Sequence, residues 1–207
     1  MIGMICVSCR PEAASVLPPF DAAFLRLDAE EVSALPLAPR FEMPMGTELG
    51  GLTYNAQPFR ITRHLGDDLN GIGGWNSDQG NPVYASGTGR VVYTGVPSDG
   101  WGNMVILAHR VPDKSAPQGY RVMQTVYAHL ESVLVKHGET ISRGEPLGTV
   151  GTANGLYWAH LHFEIRESLS VYPGMGYSDE PQDRVSPEAF VKKYSEVSSV
   201  LLSKAPK

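Results

Sequence analysis

Ala159-His160-Leu161-His162-Phe163-Glu164-Ile165 is the stretch from which the rest of the chain is read. β-forming residues alternate with polar ones, and in a strand successive side chains point to opposite faces. Leu161, Phe163 and Ile165 therefore share one face, suited to a core. His160, His162 and Glu164 share the other. Two imidazoles at that spacing converge on one small volume, which suits a metal ligand with a basic neighbour. An HxH pair is weak evidence alone, so its partners must come from elsewhere in the chain.

The rest of the chain reads as a compatible β scaffold. With 22 Gly and 16 Pro spread along 207 residues, many short strands joined by tight turns are favoured over a helical bundle. After a Gly-rich loop at 71–76, strand-like runs recur at Pro82–Ala85, Gly89–Gly95, Gly102–His109 and Val122–Leu130, with turns at 138–141 and 144–151. No helical pattern separates them. The expectation is an all-β fold: an antiparallel β-sandwich or open barrel of short strands, with a C-terminal helix and an irregular N-terminal arm. The helix starts at Ser186-Pro187-Glu188, where a cap, a first-turn Pro and an early acid coincide. It runs to Leu202 with Phe190, Val191 and Tyr194 inward. In the arm, Phe20–Leu27 reads as a short helix and Leu35–Pro39 as an extended linker. The expected boundaries are 1–40 for the arm, 41–185 for the main domain and 186–207 for the helix and tail.

Composition closes several function classes. A net charge of -5 leaves no basic stripe for nucleic acid. No run of about 18 apolar residues encodes a membrane span. Cys6 and Cys9 make a CxxC, but no second pair or βαβ pattern follows to support a redox or zinc reading. The apolar opening Met1–Ile5 lacks a basic start and is not a complete signal peptide. It is compatible with the tail end of one, with Cys9 near a lipoprotein-type processing site.

A catalytic zinc site needs three nitrogen or oxygen ligands and an open position for water. His64 and Asp68 lie four positions apart with Gly66 between them to permit a turn, so both can chelate one ion. Adding His162 gives a His2Asp set, similar in kind to sets that activate water for peptide hydrolysis. His129 and His160 then remain for proton transfer and for hydrogen bonding to a developing oxyanion. His109 reads as structural and His137 as solvated. Glu164 either orients a ligating imidazole or pairs with Arg166, the plainer reading. Asn103 and Tyr127 read by default as turn and packing residues, with lining the groove and touching substrate as the sharper alternative; Trp75 and Trp101 lie in Gly-rich loops where they can form its walls.

His64-x-x-x-Asp68, Tyr127-Ala128-His129-Leu130 and His160-Leu161-His162-Phe163-Glu164, in that order, resemble the three signature motifs of the lysostaphin/LytM-type zinc endopeptidases. The resemblance runs from about Phe41 to Arg166. It implies one zinc ion held by His64, Asp68 and His162, with Asp68 chosen over Asp67 by spacing. It implies His129 and His160 as the catalytic pair, peptide bonds of bacterial peptidoglycan as substrate, and a periplasmic or extracellular address. The rival from another class is a non-catalytic domain that binds peptidoglycan or activates a separate hydrolase. Such relatives usually lose ligand residues, and none is lost here. A lipoyl- or biotinyl-type carrier, brought to mind by the 135–151 turns, lacks an acceptor lysine in the right context.

Overall fold

In the computed structural model, which describes residues 25–47 and 50–202, the short runs become strands. They are β1 (Thr53–Gln57), β2 (Asp67–Gly71), β3 (Pro82–Tyr84), β4 (Gly89–Gly95), β5 (Asn103–Pro112), β6 (Tyr120–Val133), β7 (Thr140–Ile141), β8 (Pro146–Val150), β9 (Leu161–Arg166) and β10 (Arg184–Val185). Two helices flank them, α1 (Ala29–Ala34) and α2 (Pro187–Leu202). The main path runs β1-β2-β9-β6-β5-β4-β7, with β10 on β9 and β8 joining β3 to β6. Every ladder between these strands is antiparallel, and the sheet does not close. The all-β class and the open antiparallel architecture are as the sequence led us to expect.

The long β5–β6 hairpin is buried on both faces, which explains its nearly continuous apolar run. Val105, Leu107 and Tyr127 join a core that includes Phe41, Val83, Leu147, Leu161, Phe163 and Val191. Met104, Ile106, Ala108, Val126 and Ala128 face the other way, onto Leu27 and Leu35. The segment from Leu25 to Met45 is thus laid against the sheet. Leu27 N–H donates to the Leu169 carbonyl at 2.8 Å, and Leu37 bridges Arg110. Where it is described, the expected Phe20–Leu27 helix is instead extended through Leu25–Leu27. The helix begins only at Ala29, because Asp28 and Glu31 form a reciprocal capping box there. The Cys6–Cys9 reading lies outside the described residues.

The C-terminal helix starts where expected. Ser186 Oγ accepts from Ala189 N–H at 3.3 Å, and Asp67 Oδ2 accepts from Glu188 N–H at 3.2 Å. Phe190 and Tyr194 meet Phe41 edge-on at 5.0 and 5.9 Å between ring centroids. One feature of β9 differs from its alternating sequence: all six residues are buried, on the polar face too. Residues 167–185 fold back over that face, and the arginines of β9 and β10 bond their carbonyls.

Candidate metal centre

Antiparallel pairing of β2 with β9 sets Asp68 opposite His162, and the bridge between His64 and Tyr177 brings the second imidazole in from the β1–β2 connection. His64 Nε2 lies 3.0 Å from His162 Nδ1 and 3.2 Å from Asp68 Oδ1, and His162 Nδ1 lies 2.9 Å from Asp68 Oδ1. Three donors about 2.0 Å from one ion at tetrahedral angles stand roughly 3.3 Å apart. All three residues are buried. The neighbouring acid faces away, as strand alternation requires. Asp67 accepts from the N–H groups of Phe59 and Glu188, tying the β1–β2 connection to the start of α2.

The outer contacts fix which ring nitrogens carry protons, since a carbonyl or carboxylate oxygen can only accept. His64 Nδ1 donates to the Gln57 carbonyl at 3.1 Å, and His162 Nε2 donates to Glu164 Oε1 at 3.2 Å. His129 Nδ1 donates to the Trp101 carbonyl at 3.2 Å, and His160 Nδ1 to the Trp158 carbonyl at 2.7 Å. Four imidazoles therefore present their second nitrogen to a common region. His160 Nε2 is 3.7 Å from Asp68 Oδ1, and the His129 ring centroid is 4.7 Å from that of His160 and 5.6 Å from that of His162. Two unprotonated ring nitrogens facing each other at 3.0 Å would repel, so a positive charge belongs there: a proton shared with Asp68, or a cation that replaces it. The donor set fits a divalent cation of zinc's preferences.

The electrostatics agree. Burial alone would lower the His162 pKa, but the carboxylates of Asp68 and Glu164 overcome it and raise the group to about 9. Burial pushes Asp68 up, yet hydrogen bonds from His162 and His64 hold it far below the usual carboxylate range. His129 goes the other way. Burial, followed by the charges of His162 and His160, lowers it to about 3, so its imidazole is neutral.

Local backbone geometry makes this approach possible. Gly66 was expected to permit a turn; it is needed for space instead. A Cβ there would lie 2.7 Å from the Phe163 carbonyl oxygen and 2.8 Å from the His162 ring. His129 has φ of 62°, the left-handed region that costs a non-glycine residue of order 1–3 kcal/mol. It sits in a bulge: Val105 pairs with Tyr127 and Asn103 with Leu130, so β6 carries one extra residue. The Trp101 carbonyl also accepts the His129 backbone N–H at 3.0 Å, fixing the distorted turn and the ring together.

Of the two readings open for Tyr127 and Asn103, the contacts favour the plainer one, packing and bracing, over substrate contact. Tyr127 is wholly buried, its hydroxyl accepting from Ser86 N–H at 2.8 Å and its ring 5.4 Å from Phe163. The bulge separates it from the face that His129 uses. Asn103 Nδ2 donates to the carbonyls of Leu130 and Glu131, so its amide braces the bulge rather than facing ligand. Glu164 bonds His162 and Arg184, not Arg166, whose Nε donates to Gln124. His109 is buried and doubly bonded, and His137 is exposed. The histidine cluster opens into a cavity of about 1290 Å³ walled by Tyr54, Trp75, Trp101, Tyr157, Trp158 and Tyr177. Sequence reading missed Arg184 and Tyr177, which lie in a segment without any recognisable pattern.

A buried His2Asp set able to hold a metal ion, two further imidazoles and an aromatic groove thus lie together on an open antiparallel sheet. The model of peptidase family M23 matches residues 70–174, just over half of the chain, and the chain belongs to that family. The match takes in His129, His160 and His162 and begins after His64 and Asp68. Murein hydrolase activator NlpD of Escherichia coli K12 is 34% identical over 96 residues, 46% of this chain and 22% of that protein. Peptidoglycan DD-endopeptidase ShyB of Vibrio cholerae is 30% identical over 106 residues, 51% of this chain and 21% of that protein. The structure of lysostaphin from Staphylococcus simulans superposes with a TM-score of 0.48 at 24% identity, covering 69% of this chain and 50% of that one. The chain spans about a third or less of the length of most curated relatives it matches.

Proposed function

We propose that this chain is a zinc-dependent endopeptidase that hydrolyses peptide bonds of bacterial cell-wall peptidoglycan, working in the periplasm or outside the cell. The observation that carries the reading is the convergence of four imidazole nitrogens and one carboxylate on a single region, each ring oriented by an outer acceptor. His64, Asp68 and His162 would hold the ion. Zinc there supplies a Lewis acid that polarises the scissile carbonyl and brings the pKa of water toward about 7. The neutral His129 has its Nε2 free to take a proton, and His160 offers a second Nε2 beside it. Once protonated, either ring donates to an oxygen at the same place and returns the proton to the leaving amine. The groove exceeds the roughly 300–1,000 Å³ of a small-ligand site, which supports a polymeric substrate. Among the described residues no helix is long and apolar enough to cross a membrane.

The similarity to a murein hydrolase activator keeps a second reading in view: a domain that binds peptidoglycan and switches on another hydrolase. One experiment separates them. Metal analysis of the purified protein, a zymogram on purified cell walls and product analysis on muropeptides should show one zinc per chain and peptide cleavage. Activity should be abolished in His129→Ala and His162→Ala. Wall binding without metal or cleavage would establish the activator reading instead, and full lysis by His162→Ala would sink the ligand assignment.

A further inference from the structure

Arg184 lies ten residues beyond the end of the family match, in β10, which pairs with β9 so that Arg184 stands opposite Arg166. Both arginines are buried. Like charges across a ladder repel, so such a pair persists only where each guanidinium is well engaged. Arg166 is engaged by Gln124 Oε1 and by the carbonyls of Ser170, Tyr172 and Pro173. Arg184 is engaged differently, and its contacts lead to the metal centre by two routes.

The first route is through a carboxylate. Arg184 Nε donates to Glu164 Oε2 at 3.1 Å, while Glu164 Oε1 accepts from His162 Nε2 at 3.2 Å. The guanidinium thus pins one oxygen and presents the other to the ring. The second route is through backbone. Arg184 Nη2 donates to the Pro173 carbonyl at 2.5 Å and the Met175 carbonyl at 3.4 Å. The segment held there pairs with the residues around His64. Leu65 N–H donates to Gly176 O at 2.9 Å, Ser178 N–H to Arg63 O at 2.8 Å, and Tyr177 bridges His64. Gly174 O also accepts from Trp101 Nε1 at 3.2 Å.

We propose that Arg184 is a positioning residue for the metal centre: a single buried guanidinium sets His162 through Glu164 and His64 through the 173–178 segment. This rests on the reading of His64, Asp68 and His162 as zinc ligands. The planar fork is what the task needs, since a lysine ammonium keeps the charge but cannot span a carboxylate and two carbonyls in fixed directions. Outer partners of ligating residues typically tune metal affinity by roughly 10- to 100-fold.

The test is zinc affinity of the full chain, read by competition with a chromophoric chelator, with circular dichroism and thermal melts of the zinc-free protein checking the fold. Arg184→Lys should bind zinc roughly 10- to 100-fold more weakly than the wild type. Arg166→Lys is the control, because Arg166 holds the same loop without bonding Glu164. It should stay within about threefold of wild type. Should Arg184→Lys fail to fold, the isosteric Glu164→Gln, expected to weaken zinc similarly, carries the test of the first route. Unchanged affinity in a folded Arg184→Lys, or in Glu164→Gln, overturns the proposal, as does an equal loss in Arg166→Lys. A wild-type protein that takes up no zinc overturns both this inference and the functional reading beneath it.

Discussion

His109 makes the stability of this protein depend on pH in a way that can be calculated. Its ring is fully buried, with Nδ1 donating to the Thr88 carbonyl at 2.8 Å, Nε2 2.9 Å from Thr125 Oγ1, and Phe41 edge-on at 5.1 Å. Burial lowers its pKa to about 4, against the reference value of about 6.5 expected in the unfolded chain. The unfolded state therefore binds the proton first on acidification. The stabilisation is complete above about pH 6.5 and is lost as pH falls toward 4, amounting to about 3 kcal/mol in all. Between pH 7.5 and 5.0 about 2 kcal/mol should go. His109→Gln can still donate to the Thr88 carbonyl but cannot titrate. Urea unfolding of both proteins at pH 7.5 and 5.0, with chelator present to remove metal linkage, isolates the residue. Among the described residues His109 bonds Thr88 and Thr125, which none of the clustered histidines bonds, so their contributions should cancel in the difference. The wild type should lose about 2 kcal/mol more than the variant on acidification. Equal losses within about 0.5 kcal/mol would refute the claim that this ring is held neutral.

Two further outcomes are expected. Because His162 is raised to about 9, zinc entering at pH 7 should displace about one proton, and affinity should rise about tenfold per pH unit up to that value. Titration calorimetry in two buffers of different ionisation enthalpy measures the proton count, and none released at pH 7 would contradict the assignment. Tyr127→Phe removes the acceptor of the buried Ser86 N–H, so stability should fall by about 1–3 kcal/mol while KM for peptidoglycan fragments stays unchanged. A raised KM in a fully stable variant would restore Tyr127 to the substrate groove.

Side-chain periodicity explains both what could be read from the sequence and what could not. His162 was legible from the alternation of its strand and Asp68 from its spacing to His64, and β2 and β9 pair with the two directly opposite. Tyr127 lies in the core, where the packing reading put it. Strict alternation puts residues 127 and 129 on one face, but the extra residue at His129 rotates the chain, and Tyr127 and Leu130 share the core instead. A left-handed turn at a non-glycine residue leaves no mark in composition. Asn103 lies across that bulge and braces it. Arg184 was illegible for a further reason: a buried arginine is recognised only by the carbonyls and carboxylate that receive it, and these come from segments brought together by β10 pairing. The two-sided burial of β5 and β6 likewise depended on the segment around Leu27 and Leu35, whose sequence reads as a tether.

The sequence that identifies the family and the sequence that assembles the site are not coextensive. Residues 70–174 hold three of the four clustered histidines, whereas His64 and Asp68 precede them, Arg184 follows, and the Leu27–Leu35 cover comes from further upstream. Transplanting the recognisable stretch into another protein would move imidazoles without their carboxylate, and strands without the apolar layer that keeps them dry. Any graft of this chemistry has to carry both flanks along with it.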